Sequence, residues 1–259
     1  MKILFIGDIV GRIGRRMIKE KVPYLVDKYG IDFVIANGEN VTHGKGIIKH
    51  HYDELIDAGV DVITLGNHYN SKNEINKYID RVDRLIRPIN LRQNFPGEGS
   101  ALFDLDGISV RVTNILGSAF INEEVNSPYL ATLELLETME PSNIHIIDFH
   151  GEATGEKQSY AYTFDGKVTA VLGTHTHVQT NDSKILENGT AFISDVGMTG
   201  FADGVLGFEK ESVIKKNMYG LKSKFEPPEE GRGLLSAVVI DVDEQTGLSR
   251  DIFSIYLEE

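Results

Sequence analysis

The sequence predicts an α/β protein with mixed strand directions, and three observations carry that reading. Short β-branched runs alternate with segments of helical spacing, several of those runs end on Gly followed by polar residues, and Asp-Gly pairs next to apolar runs signal hairpins. The hairpins exclude a purely parallel sheet. At 259 residues and 41% hydrophobic content, the chain is long enough for one large core, and a single domain over 1–259 is expected.

The elements follow in order. KILFIG (2–7) is the first strand. Gly14 to Tyr29, apolar at Met17, Ile18, Val22, Leu25 and Val26, has the 3.6-residue rhythm of a helix, with Pro23 expected to kink it. FVIA (33–36) and VITLG (62–66) read as buried strands on either side of a helix from Ile48 to Ala58. Leu102–Leu105 and Ile108–Ile115 flank Asp106-Gly107, a hairpin pattern, and Pro128 to Met139 is again helical. HIIDFH (145–150) is a strand, and Tyr160–Phe164 before Asp165-Gly166 predicts a second hairpin. AVLG (170–173), AFISD (191–195) and LLSAVVIDV (234–242) complete the strands. FEPPEEGRG (225–233) reads as a long surface loop, and neither an internal repeat nor a low-complexity tract is found.

Composition limits the chemistry. No apolar run approaches the ~20 residues of a membrane helix, and MKILFIGD has no signal-peptide segmentation, so a cytoplasmic protein without membrane contact is expected. The chain has no cysteine, so any metal must be held by nitrogen and oxygen. A formal charge of −13 argues against binding along a nucleic-acid backbone, where affinity comes from many Lys and Arg, but allows a small anion in a local pocket.

FIGDIVGRIG (5–14) poses a choice between a phosphate cradle and a metal ligand. The dinucleotide fingerprint fails on spacing, because Ile9 stands where its middle glycine belongs. A carboxylate at Asp8 would also repel a pyrophosphate unless a cation lay between them. Taken alone, Asp8 fits a helix cap or a turn. Its company decides otherwise. Glu39 and Asn40 follow one strand, Asn67 and His68 another, His150 ends a third, and His175-x-His177 follows a fourth. Two histidines at i and i+2 on an extended segment project to one side. Asp8, Glu39, Asn40, Asn67, His150, His175 and His177 exceed what one ion takes, and they suit two ions about 3.5 Å apart. Imidazole plus carboxylate without thiolate favours iron or manganese, with zinc the next choice. His43, His50, His51 and His145 lack such company and read as surface or core residues.

The series GD, GNH, H and GTHTH on successive strand ends resembles the metallophosphoesterase (calcineurin-like) superfamily. Two departures, Val10 in place of a DxH histidine and Gly38-Glu39-Asn40 in place of GDxxD, resemble its YmdB-like branch, as do GDIVGR, ANGEN, LGNH, DFHGEATGEK, GTHTHVQT and DVGMTG. The resemblance runs nearly end to end. It implies a four-layer sandwich of two mixed sheets flanked by helices, and a 2′,3′-cyclic-nucleotide phosphodiesterase with two divalent or trivalent transition-metal ions. It further implies that Asp8, Glu39, Asn40 and His177 hold one ion, that Glu39, Asn67, His150 and His175 hold the other, and that His68 is the proton donor.

Two cations would lower the pKa of a shared water and draw in a phosphodiester. RNA ends carrying the same cyclic group are a further substrate to consider, and a homo-oligomer is left open. The alternatives are a metallophosphatase or nuclease on another phosphoester, and a regulatory RNA-associated binding protein with weak activity. Arg12, Arg15, Arg16, Glu152 and Lys157 read first as a solvated helix face, with Arg12 the best placed of them for phosphate.

Overall fold

The computed structural model describes residues 1–92, 95–221 and 225–259. Its strands are β1 (Lys2–Ile6), β2 (Asp8–Ile9), β3 (Phe33–Asn37), β4 (Val62–Thr64), β5 (Leu85–Ile86), β6 (Ser100–Leu105), β7 (Ile108–Leu116), β8 (Ile144–His150), β9 (Ala170–Thr174), β10 (Lys184–Ile185), β11 (Ala191–Ile193), β12 (Met198–Phe201), β13 (Gly233–Val242) and β14 (Ser249–Glu258). The helices are α1 (Gly11–Tyr29), α2 (Lys49–Asp57), α3 (Pro128–Thr138), α4 (Thr154–Thr163) and α5 (Lys210–Tyr219). None of the helices among the described residues is long and apolar enough to cross a membrane.

One sheet runs β2-β12-β13-β1-β3-β4-β5, with β14 also paired to β13. β1, β3, β4 and β5 are parallel, and β13 is antiparallel to β1, β12 and β14. The second sheet runs β10-β11-β9-β8-β7-β6, with parallel pairs at its centre and an antiparallel strand at each edge. The β6–β7 pair is the hairpin expected at Asp106-Gly107.

Side-chain alternation explains why the sheets stack. Along β1, Leu4 and Ile6 face one way and pack with Ile13, Met17, Ile18, Val22 and Leu25 of α1 and Tyr52 and Leu55 of α2. Ile3 and Phe5 face the other way and meet Val110, Val112, Ile144, Ile146 and Leu172 of the second sheet. That sheet turns Ile115, Ile147, Phe149 and Val171 outward onto Tyr160, Ala161 and Phe164, with Tyr129 and Leu136 of α3 packed alongside. Helices, sheet, sheet and helices make the expected four-layer sandwich. Strands buried on both faces read as continuous apolar runs, which is why β1, β3 and β8 stand out in the sequence.

One local expectation differs from the structure. Tyr160–Thr163 belongs to α4 and is no hairpin strand. Tyr160, Ala161 and Phe164 share one helical face, and Tyr160 packs on Phe149 with ring centroids 4.6 Å apart. Burial on that face outweighs the aromatic and β-branched character that suggested a strand. Pro23 lies inside α1, which runs on to Tyr29.

Candidate metal centre

The ends of β1, β3, β4, β8 and β9 bring the sequence-selected residues together. Asp8 sits in β2, where its N–H donates to the Gly197 carbonyl (3.0 Å). It caps nothing: the residue preceding α1 is Val10, which makes no side-chain cap bond. Asp8 Oδ2 accepts from the His175 N–H (3.1 Å), while Oδ1 is buried without a hydrogen-bond partner, 3.9 Å from His177 Nε2. Asn40 follows β3, and its Nδ2 donates to the Gly44 carbonyl (2.9 Å). That bond turns Oδ1 inward, where it too is buried and unpartnered. Buried acceptors without donors cost roughly 1–3 kcal/mol each, so two at one site point to a missing electrophile.

A second group converges on His150 Nε2, which lies 3.2 Å from Glu39 Oε1, 3.2 Å from Asn67 Oδ1 and 3.0 Å from His175 Nδ1. Ligand atoms of Glu39, His150 and His175 all lie within 4.8 Å of one another. Gly66 makes room for them. A Cβ there would stand 2.4 Å from both Glu39 Oε2 and His150 Nε2. His68 lines the cavity, with Nδ1 3.3 Å from Glu39 Oε1 and 3.2 Å from Asn40 Nδ2.

Each histidine offers one ring nitrogen to the centre and has the other held. His150 Nδ1 is 2.8 Å from Thr174 Oγ1, which in turn donates to Asp148 Oδ1 (2.6 Å). His175 Nε2 is 3.1 Å from Glu152 Oε2, and His177 Nδ1 is 3.0 Å from the Leu206 carbonyl. Ring nitrogens anchored in this way are the usual support of metal-binding imidazoles, because the anchor fixes both tautomer and orientation.

The electrostatics show how strongly the cluster wants positive charge. Burial pushes Asp8 up. Burial also opposes ionisation of Glu39, yet His150 and His68 outweigh it and hold the carboxyl well below its usual range. His150 loses to burial but gains more from Glu39 and Asp8, and stands at about 9. Burial and the neighbouring His150 drive His175 down to about 3. A proton on His150 thus answers the carboxylates in the bare chain. A metal ion would answer them with every imidazole neutral, as ligation demands. The oxygen and nitrogen donors fit such ions.

The family model of YmdB-like proteins matches residues 4–255. This chain is a YmdB-like protein. It is 47% identical over 247 residues to the 2′,3′-cyclic-nucleotide 2′-phosphodiesterase of Bacillus subtilis strain 168, covering 95% of this chain and 93% of that one. A crystal structure described as a novel phosphatase from Mycoplasma pneumoniae superposes with TM-score 0.94 at 36% identity, over 100% of this chain and 93% of that one. The NAD nucleotidase of Haemophilus influenzae shares the fold at 12% identity and TM-score 0.53, over 99% of this chain and 55% of its own. This YmdB-like protein therefore has the metallophosphoesterase fold.

Several sequence expectations need correction in the YmdB-like structure. His175 and His177 do not lie on an extended segment: β9 ends at Thr174, and they have φ values of 103° and 66°. They reach the centre through a strained turn. Such backbone persists only where its surroundings impose it. Lys157 is no solvated residue. It is buried, donating to Asp195 Oδ2 (2.9 Å) and the Thr174 carbonyl (2.8 Å). Asp195 also accepts from the N–H groups of Thr176 (3.0 Å) and Gly197 (2.9 Å), so this ion pair underlies the turn that carries both histidines. Arg12 points away from the centre: it is exposed, pairs with Glu229 (3.2 Å) and lines a separate cavity. Arg15 is half-buried between Glu54 and the Val41 carbonyl.

Sequence reading also passed over Asp148, although it lies two residues before His150 on the same face of β8. Phe208 and Phe225, in the wall of the cavity, carried no motif to single them out.

Proposed function

We propose that this YmdB-like chain is a metal-dependent phosphodiesterase that hydrolyses 2′,3′-cyclic nucleotides, with His68 as the proton donor. In this reading Asp8, Glu39, Asn40 and His177 hold one ion, and Glu39, Asn67, His150 and His175 the other. Bound there, the ions supply Lewis acidity toward phosphate oxygens and an acidified water. Iron and manganese suit the donor set best, with zinc next. The observation that carries the reading is the pair of orphaned buried oxygens, Asp8 Oδ1 and Asn40 Oδ1, beside three imidazoles that each turn one ring nitrogen toward the other donors while the second nitrogen is anchored.

The chain's own residues do the rest. Asp8, Glu39 and Glu152 outnumber Lys45 and the protonated His150 in and beneath the cavity wall, so the bare protein disfavours an anionic substrate. With cations held by Asp8 and Glu39 that sign would reverse and the cavity would become receptive. His68 Nδ1 is held by Glu39 Oε1 when it carries a proton and by the Asn40 Nδ2 amide when it does not, leaving Nε2 without a partner among the described residues. From there His68 delivers a proton to the departing ribose O2′ as the P–O2′ bond breaks and the oxygen of the acidified water, its own proton released to solvent, bonds to phosphorus. The product is a nucleoside 3′-monophosphate. The cavity, of about 350 Å³, lies at the low end of the ~300–1,000 Å³ usual for small-molecule sites, which favours a mononucleotide over a long polymer.

The test is elemental analysis of freshly purified protein alongside kinetics on 2′,3′-cyclic, 3′,5′-cyclic and monoester substrates. About two transition-metal ions per chain and preference for the 2′,3′ ring are expected. His68→Ala should keep the metal and lose roughly 10²–10⁴-fold in turnover. Full turnover in that variant removes His68 from its role. Metal-free, inactive wild-type protein overturns the whole reading.

A further inference from the structure

We propose that Phe208 and Phe225 form an aromatic seat on which the nucleobase of the substrate stacks. The inference rests on the phosphodiesterase reading of the same cavity. Both side chains line that cavity together with Glu39, Asn40, His68 and His177, so metal-type ligands and aromatic rings share one space. Their ring centroids are 6.0 Å apart at an interplanar angle of 44°.

Among the described residues, neither ring belongs to a hydrophobic cluster that builds the fold. Both are half-buried, which leaves aromatic surface open to a cavity whose other lining, apart from Gly44 and Leu206, is polar or charged. Two rings that do little for the core and face a ligand cavity have a physical use if something flat and apolar comes to lie on them.

The surroundings fix the rings in place. Val205 and Phe208 exchange both backbone hydrogen bonds (2.9 and 3.0 Å) across Leu206 and Gly207, which have φ values of 54° and 86°. Such a two-residue turn with both φ positive is rigid, and leucine is an unusual occupant of its first position. Leu206 is the residue whose carbonyl holds His177 Nδ1. One tight turn thus connects a metal-type ligand to the aromatic wall. Behind Phe208 the chain approaches so closely that a Cβ on Gly44 would stand 2.8 Å from the ring. Lys216 Nζ lies 4.5 Å from the centroid of the Phe225 ring, a cation–π contact.

The seat explains why the chain would discriminate a nucleotide from a plain cyclic phosphate without reading which base it carries. Every base has a π-face, so stacking is tolerant of sequence.

The experiment compares kcat/KM for 2′,3′-cyclic AMP with that for glycerol 1,2-cyclic phosphate, which has the five-membered ring and no base. Wild type, Phe208→Leu, Phe225→Leu and the conservative Phe208→Tyr are measured as metal-loaded protein. Leucine keeps apolar volume and removes the π-face. The ratio of the two kcat/KM values should fall roughly 5- to 150-fold in the leucine variants and recover in Phe208→Tyr. Taking the ratio cancels any disturbance passed to His177, which would affect both substrates alike. An unchanged ratio overturns the seat.

If wild-type protein turns over neither ring, the phosphodiesterase reading fails, and calorimetry of 3′-AMP against glycerol 2-phosphate still decides the seat. A preference for the nucleotide that disappears in Phe208→Leu supports it. Equal affinities in wild type overturn it.

Discussion

Replacing Lys157 with methionine isolates the ion pair beneath the histidine turn. The substitution keeps an unbranched apolar stem and deletes only the ammonium, which donates to Asp195 Oδ2 (2.9 Å) and the Thr174 carbonyl (2.8 Å). Thr174 keeps one donor, the Gly151 N–H (3.3 Å), and Asp195 keeps its two backbone donors from Thr176 and Gly197. What is lost is the countercharge of a carboxylate whose side chain is 1% exposed, against 2% for Lys157. Removing one partner of a buried pair costs roughly 3–5 kcal/mol, because the other charge is left uncompensated. In a chain of this length each kcal/mol moves Tm by roughly 2–4 °C, so thermal unfolding of chelator-treated protein should fall by roughly 6–20 °C. A second effect follows from position. His175 and His177 flank Thr176, whose N–H is tied to Asp195, so a loosened turn should also weaken metal binding by roughly 10–100-fold in a chelator competition. Circular dichroism melts and metal titration read the two effects separately. A Lys157→Met protein that melts within about 2 °C of wild type, a shift worth no more than about 1 kcal/mol, and holds metal equally well would refute the reasoning.

Two other perturbations probe independent features. Gly66→Ala places a methyl 2.4 Å from Glu39 Oε2 and His150 Nε2, so it should displace those side chains, cost roughly 1–3 kcal/mol and, on the proposed function, lower metal content per chain; a variant with wild-type metal stoichiometry and turnover would count against the crowding. His145 is buried against Thr113 Oγ1 (2.9 Å), and burial, with Arg111 nearby, drives it down to about 3. Its folded-state pKa lies below the unfolded value of about 6.5, so the unfolded chain binds the extra proton and stability falls as pH drops below about 6.5. Between pH 7 and pH 5 this one group should cost roughly 2 kcal/mol, and denaturant melts of His145→Gln should show that much less loss over the same interval.

The residues of the candidate centre were legible because their chemistry is rare and their positions repeat. Asp8, Glu39, Asn67 and His150 each stand at or just beyond a strand end, and parallel pairing of β1 with β3 and of β8 with β9 brings those ends to one rim. A local pattern was enough to find them. The residues that hold those side chains in place were not legible, and the reason is sequence distance. Thr174 is tied to Asp148 across 26 residues, His177 to Leu206 across 29, and Lys157 to Asp195 across 38. Each taken alone has an ordinary reading: a threonine in a strand, a leucine in a loop, a lysine on a helix. The partner supplies the meaning, and only folding supplies the partner. The same holds for the shape of the turn at His175 and His177. The i, i+2 spacing singled out both imidazoles, but they sit on positive φ angles rather than on an extended strand. Their orientation is therefore not a property of the HxH motif. It is imposed from beneath by Asp195 and from the side by Leu206, so the same motif without those two supports should bind metal less tightly.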